Sequence, residues 1–125
     1  MTGDRMSGPE LRVAVRTQSP GVVEIAVAGE LDLSTVPQLP PVFAEALAGR
    51  PRLVELDLDG VPFMDSSGIN LLVRTRRQAS AAGSELVITR IQPTVHRVLS
   101  IFGLADVLCP DIEAPPDPFE GDGAF

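Results

Sequence analysis

LVELDLDGVPFMDSSGINLLV, residues 53–73, passes from one kind of periodicity to another. Val54, Leu56 and Leu58 alternate with Glu55, Asp57 and Asp59, the period of two that gives a strand one apolar and one polar face. Beyond Gly60 and Pro62 the alternation stops, and Ile69, Leu71, Leu72 and Val73 crowd together as they do at the start of a helix. Between the two lies Asp65-Ser66-Ser67-Gly68. A helix N-cap needs one side-chain oxygen and is worth about 1 kcal/mol; Asp65, Ser66 and Ser67 are each candidates, so the quartet offers more hydroxyl chemistry than capping requires.

The same reading extends in both directions. Leu11, Val13 and Val15 alternate with Arg12, Ala14 and Arg16, and Val23, Ile25 and Val27 alternate with Glu24, Ala26 and Ala28. Ser19-Pro20-Gly21 between them is a turn signal, so these two strands form a hairpin. Strands with one apolar face belong to a sheet covered on one side only, and Arg12 or Arg16 on its wet face can neighbour Glu24 or Glu55. Ser34 to Gly49 ends well as a helix but starts with prolines; an irregular or 3₁₀ start followed by a helix from about Pro40 or Pro41 to Ala48 accommodates them. A second helix spans residues 66–82 and stops at Gly83. Glu85–Thr89 forms a short strand, Pro93-Thr94 opens a third helix through about Phe102, and a weak element covers Asp106–Cys109. The expected architecture is α/β with α+β character: order β-β-α-β-α-β-α, a mixed four- to five-stranded sheet, helices mainly on one face. Residues 10–110 form the domain, after a flexible segment 1–9.

Composition excludes several functions. The formal charge is −7, and residues 111–125 hold five acids, three prolines and no base, a composition expected to remain mobile. The remaining twelve acids outweigh ten arginines, so no basic face for nucleic acid is expected. No apolar run reaches the roughly 18 residues that cross a bilayer, and no secretory signal opens the chain, which reads as soluble and cytoplasmic. Cys109 is the single cysteine and His96 the single histidine, so neither a disulfide nor a Cys/His metal site is expected. A hydrolase assembled from Ser66, His96 and an acid would lack the G-x-S-x-G elbow, and neither a Walker loop nor G-x-G-x-x-G occurs. The chain reads as a non-enzyme without a cofactor.

Right-handed crossovers bring the ends of the second and third strands to one edge, gathering Gly29-Glu30-Leu31-Asp32 and Val61 to Ser67. A hydroxyl in the first turn of a helix is well placed to carry a phosphate, because free N–H groups and the helix dipole favour an anion there. The apolar residues after Gly68 are too many for one buried stripe: either they pack tightly beneath the neighbouring loop, or part of them forms a docking surface beside the serines.

The element order, GELD at 29–32 and FMDSSGI at 63–69 resemble the STAS-domain anti-sigma factor antagonists over roughly residues 10–108. The resemblance implies a STAS fold and a switch in which Ser66 is the phosphoacceptor, supported by Asp65, Ser67 and Gly68. It also implies an anti-sigma factor with serine kinase activity as partner, bound through Glu30, Asp32, Met64, Ile69, Asn70 and Leu71, and a serine phosphatase that resets the switch. In the alternative, a STAS module associated with a transporter or sensing a small ligand, the quartet is only a cap.

Overall fold

The computed structural model describes residues 10–113. Segment 1–9 and the part of the acidic tail from residue 114, for which mobility is expected, lie outside the described residues. The sequence folds into β1 (Arg12–Ser19), β2 (Val22–Ala28), a 3₁₀ turn (Val36–Gln38), α1 (Pro40–Ala48), β3 (Leu53–Gly60), α2 (Ser66–Ala81), β4 (Glu85–Ile91), α3 (Pro93–Ile101) and α4 (Ala105–Leu108). The four strands form one sheet in the order β1-β2-β3-β4. β1 and β2 are the expected antiparallel hairpin, whereas β2–β3 and β3–β4 are parallel.

Alternation in sequence becomes sidedness in the sheet. Ile25, Val27, Val54, Leu56, Leu58, Leu86 and Ile88 point to one face and are at most 3% exposed, meeting Leu39, Phe43, Leu72, Val95 and Leu99 from the helical layer. Arg16 and Glu24 pair at 2.6 Å on the open face, and Glu55 accepts a hydrogen bond from Gln18 instead of an arginine. Both contacts are exposed, and such a surface pair contributes about 0–1 kcal/mol. β1 departs from its sequence pattern. Val15 pairs with Ile25 but remains 54% exposed while Ile25 is fully buried, because β1 is the outer strand and the helices pack over its inner neighbours.

Proline chemistry decides how α1 begins. Pro37 sits in the first turn of the 3₁₀ segment, and Pro40 and Pro41 occupy the first two positions of α1, where a missing N–H breaks no helical hydrogen bond. Phe43, 2% exposed, then anchors the helix in the core. The helix stops at Gly49 as expected, but the left-handed backbone falls one residue later, at Arg50 with φ of 55°. β4 runs two residues beyond its expected end, to Ile91, because a register shift beside Leu56 absorbs Thr89 and restores pairing between Asp57 and Arg90.

Candidate functional site

The carboxyl ends of the parallel strands β2 and β3 continue side by side after the sheet proper has ended. Gly29 N–H donates to Gly60 O at 3.0 Å, Leu31 N–H to Phe63 O at 3.0 Å, and Asp65 N–H to Leu31 O at 3.1 Å. A parallel bridge thereby sets Leu31 against Met64, and both side chains turn into the core, 0% and 4% exposed. Alternation sends their neighbours the other way. Glu30 and Phe63 are exposed, while Asp32 and Asp65 are half-buried in the turns they begin.

Each strand extension ends in an aspartate that caps its own turn. Asp65 Oδ1 accepts from Ser67 N–H at 2.8 Å and Gly68 N–H at 3.4 Å, which makes it the N-cap of α2. Asp32 Oδ1 accepts from Ser34 Oγ at 2.7 Å, Ser34 N–H at 2.9 Å and Thr35 N–H at 3.2 Å. The Ser34 hydroxyl above all holds the Asp32 carboxyl below its ordinary pKa; desolvation, next in size, opposes it, and the backbone donors of Ser34 and Thr35 and the Thr35 hydroxyl each add a smaller lowering. Thr35 fastens the loop from inside. Fully buried, its hydroxyl donates to Glu30 O at 2.7 Å and accepts from Asp32 N–H at 3.0 Å. Its role escapes sequence reading, which gives a threonine in an S-T pair no distinguishing mark.

Gly68 is required by close approach. A Cβ there would stand 2.5 Å from Met64 Cγ and 3.3 Å from Leu31 Cβ, so the first turn of α2 lies directly on the bridged pair. Ser66 is the first residue of α2, exposed, and its hydroxyl has no hydrogen-bond partner among the described residues. Ser67 is half-buried beside it. Asp65 thus takes the inward role of cap and leaves Ser66 pointing outward. One expectation changes as a result: the Ser67 and Gly68 N–H groups are not free to receive a phosphate, because the Asp65 carboxylate already holds them.

The structure also corrects the expected docking surface. Met64, Ile69 and Leu71 are 4%, 5% and 2% exposed, inside the core. α2 packs against β4 on one side and against α1 and the 3₁₀ turn on the other, so apolar residues on both flanks of its stripe are covered. Glu30 and Asn70 are exposed, and Asp32 is half-buried. The exposed apolar residues at this edge are Leu33 and Phe63, 78% and 48% exposed, and neither was singled out by sequence. Strand alternation around the inward Met64 is the signal that places Phe63 outside.

Other groups contribute no reactive constellation. His96 is buried in α3, and the Oγ of the exposed Ser100 lies 3.5 Å from its Nδ1. Cys109 is buried, and burial raises its thiol pKa to about 11. Among the described residues no three His, Cys, Asp or Glu side chains come together as a metal site, and no helix is long and apolar enough to cross a membrane. A hollow of about 280 Å³ on the open sheet face is lined by Arg12, Ala14, Ala26, Ala28, Asp57 and Arg90, where Arg90 already answers Asp57 at 3.6 Å and Asp59 at 3.2 Å.

The STAS domain family matches residues 14–115 of this chain. The anti-sigma-B factor antagonist of Staphylococcus aureus is 34% identical over 68% of this chain and 79% of its own length. The chain belongs to the STAS-domain family of anti-sigma factor antagonists. Its fold agrees: an anti-sigma factor antagonist from Mycobacterium paratuberculosis superposes with a TM-score of 0.68 at 25% identity, covering 77% of this chain and 80% of the other. The antagonist SpoIIAA in its unphosphorylated form gives 0.67 at 25% identity, with 77% and 84% covered. In this STAS domain the two loops that carry GELD and DSSG are therefore one laced edge, with Ser66 as its accessible hydroxyl.

Proposed function

We propose that this STAS domain is a phosphorylation-controlled antagonist: unmodified, it binds an anti-sigma factor that is also a serine kinase and thereby frees the sigma factor, and phosphorylation of Ser66 ends that binding. The observation that carries this reading is the division of labour at the start of α2. Asp65 supplies the cap, so the Ser66 hydroxyl is exposed, unpartnered and dispensable for the fold. In the transfer step Ser66 Oγ attacks the γ-phosphorus of the kinase-bound ATP, the bond to the β–γ bridging oxygen breaks, ADP leaves, and the hydroxyl proton passes to the kinase. Hydrolysis of the phosphoserine by a serine phosphatase restores the starting form.

The added group carries about −1.5 to −2 charges. It stands beside the Asp65 carboxylate, which already holds the N–H groups of Ser67 and Gly68, so these do not neutralise it and it projects into the contact. Desolvating it there opposes binding, while the buried packing of α2 is untouched. The name of the Staphylococcus aureus relative and the unphosphorylated form in which SpoIIAA is known both support the reading.

Ser66→Ala and Ser66→Glu variants test it, with the purified anti-sigma factor kinase of the same organism as binding partner. Ser66→Ala should retain the kinase and Ser66→Glu should lose it. Incubation of the wild type with kinase and ATP should add one phosphate, mapped to Ser66 by peptide mass spectrometry. Equal retention of both variants, or a phosphate on Ser67, overturns the assignment.

A further inference from the structure

We infer that Leu33 and Phe63 are the two apolar anchors of this edge, and that the anti-sigma factor kinase meets them with apolar pockets set in an arginine- and lysine-rich surface. The inference rests on the preceding functional reading and adds which residues carry affinity and what chemistry receives them.

Exposure and rigidity make the case for the anchors. Leu33 at 78% and Phe63 at 48% are the large hydrophobic residues left bare at the edge that carries Ser66, whereas Ile69, Leu71 and Leu72 of α2 are buried. Both stand on fixed backbone. Leu33 is held between the Asp32 cap and Ser34, and the carbonyl of Phe63 is held by Leu31 N–H. An apolar side chain on an immobile backbone loses little freedom on binding, the condition under which a few anchors dominate an interface.

Charge identifies the partner's surface. Residues 29–49 and 53–73, which build the whole edge, contain no arginine, lysine or histidine. Glu30, Asp32 and Asp65 surround the anchors, and no described cation pairs with them. Asp57 and Asp59, which share Arg90, are the acids at this end of the sheet that already have a cation. A partner that buries Leu33 and Phe63 must bring its own cations to this acidic rim, and the attraction acts before contact. A phosphate at Ser66 deepens the negative field, so release cannot come from long-range repulsion by such a partner. It comes from the desolvation of a dianion at the edge that carries the two anchors.

Binding kinetics of the full-length chain with the purified anti-sigma factor kinase of the same organism provide the test. Leu33→Ala and Phe63→Ala should each weaken Kd by about 30-fold or more, mainly through a faster koff. Phe102→Ala, an exposed apolar residue at the end of α3, should stay within about twofold as the control for surface changes. Raising NaCl from about 50 to about 500 mM should slow kon at least about tenfold, and Glu30→Lys should slow it in low salt. If both alanine variants bind like wild type while Ser66→Glu does not, the anchors are wrong and the functional reading stands. A kon indifferent to salt overturns the basic partner surface. If sedimentation shows a dimer of the chain that Leu33→Asp dissociates, the edge serves a second copy and the inference falls. If the wild type binds no such kinase, the inference and the functional reading fall together.

Discussion

At Asp65 a single carboxylate oxygen separates two tasks that the D-S-S-G quartet leaves merged. It satisfies the N–H groups of Ser67 and Gly68, and so releases the Ser66 hydroxyl from any part in holding the helix. Replacing it isolates the capping task. Asp65→Ala should lower unfolding free energy by about 1 kcal/mol, read from the urea midpoint, and Asp65→Asn should retain most of that stability. Ser66→Ala should leave the midpoint unchanged within about 0.5 kcal/mol, since its hydroxyl bonds nothing. Asp32 makes the equivalent cap on the neighbouring loop and adds a pH dependence. Hydrogen bonds, first from the Ser34 hydroxyl, depress its folded pKa, so the folded state binds fewer protons than the unfolded chain. Its contribution is present in full above the ordinary aspartate pKa of about 3.9 and is lost as pH falls through the lower folded value. The difference in urea midpoint between wild type and Asp32→Ala should therefore hold steady from about pH 7 to about pH 5 and narrow as pH falls below about 4.

Elements decide which apolar residues are available. Ile69, Leu71, Leu72 and Val73 give too wide a stripe for a helix with one covered side, and the sequence leaves open whether the excess packs beneath the neighbouring loop or forms a docking surface. α2 instead has neighbours on both flanks, β4 on one and α1 with its 3₁₀ turn on the other. That covering depends on the prolines at 37, 40 and 41, which fix a turn and then a helix start without loss of hydrogen bonds. Leu71→Ala should consequently cost about 2–5 kcal/mol in chemical denaturation, the range for a cavity in a core. A residue that served only as a surface contact would cost less than about 0.5 kcal/mol. An error does occur at β1, where a regular alternation of Val13 and Val15 is read as half-buried. Val15 stays bare because period tells which way a side chain points and not whether anything lies above it.

Across the whole molecule, one closed core supports one acidic, laced edge. Cys109 reports on the core because burial both shields its sulfur and lifts its pKa to about 11. At about pH 8, labelling by a disulfide reagent should proceed only through opening of the fold, and its rate should rise with added urea in step with loss of structure. Immediate labelling of the native protein would show that α4 opens independently. Periodicity, turn residues and caps are local properties, and they sufficed for the element order, the hairpin, the one-sided sheet and the helix start at Ser66. The motifs GELD and FMDSSGI were legible for the same reason: each belongs to one continuous turn of chain, and together they pointed to the family that the comparisons show. What required the tertiary structure was every question of what covers what. Met64, Ile69 and Leu71 went inside, Leu33 and Phe63 were left out, and Thr35 became the buried tie within the 29–35 loop. Burial is set by neighbours distant in sequence, and local pattern records only the direction in which a residue faces.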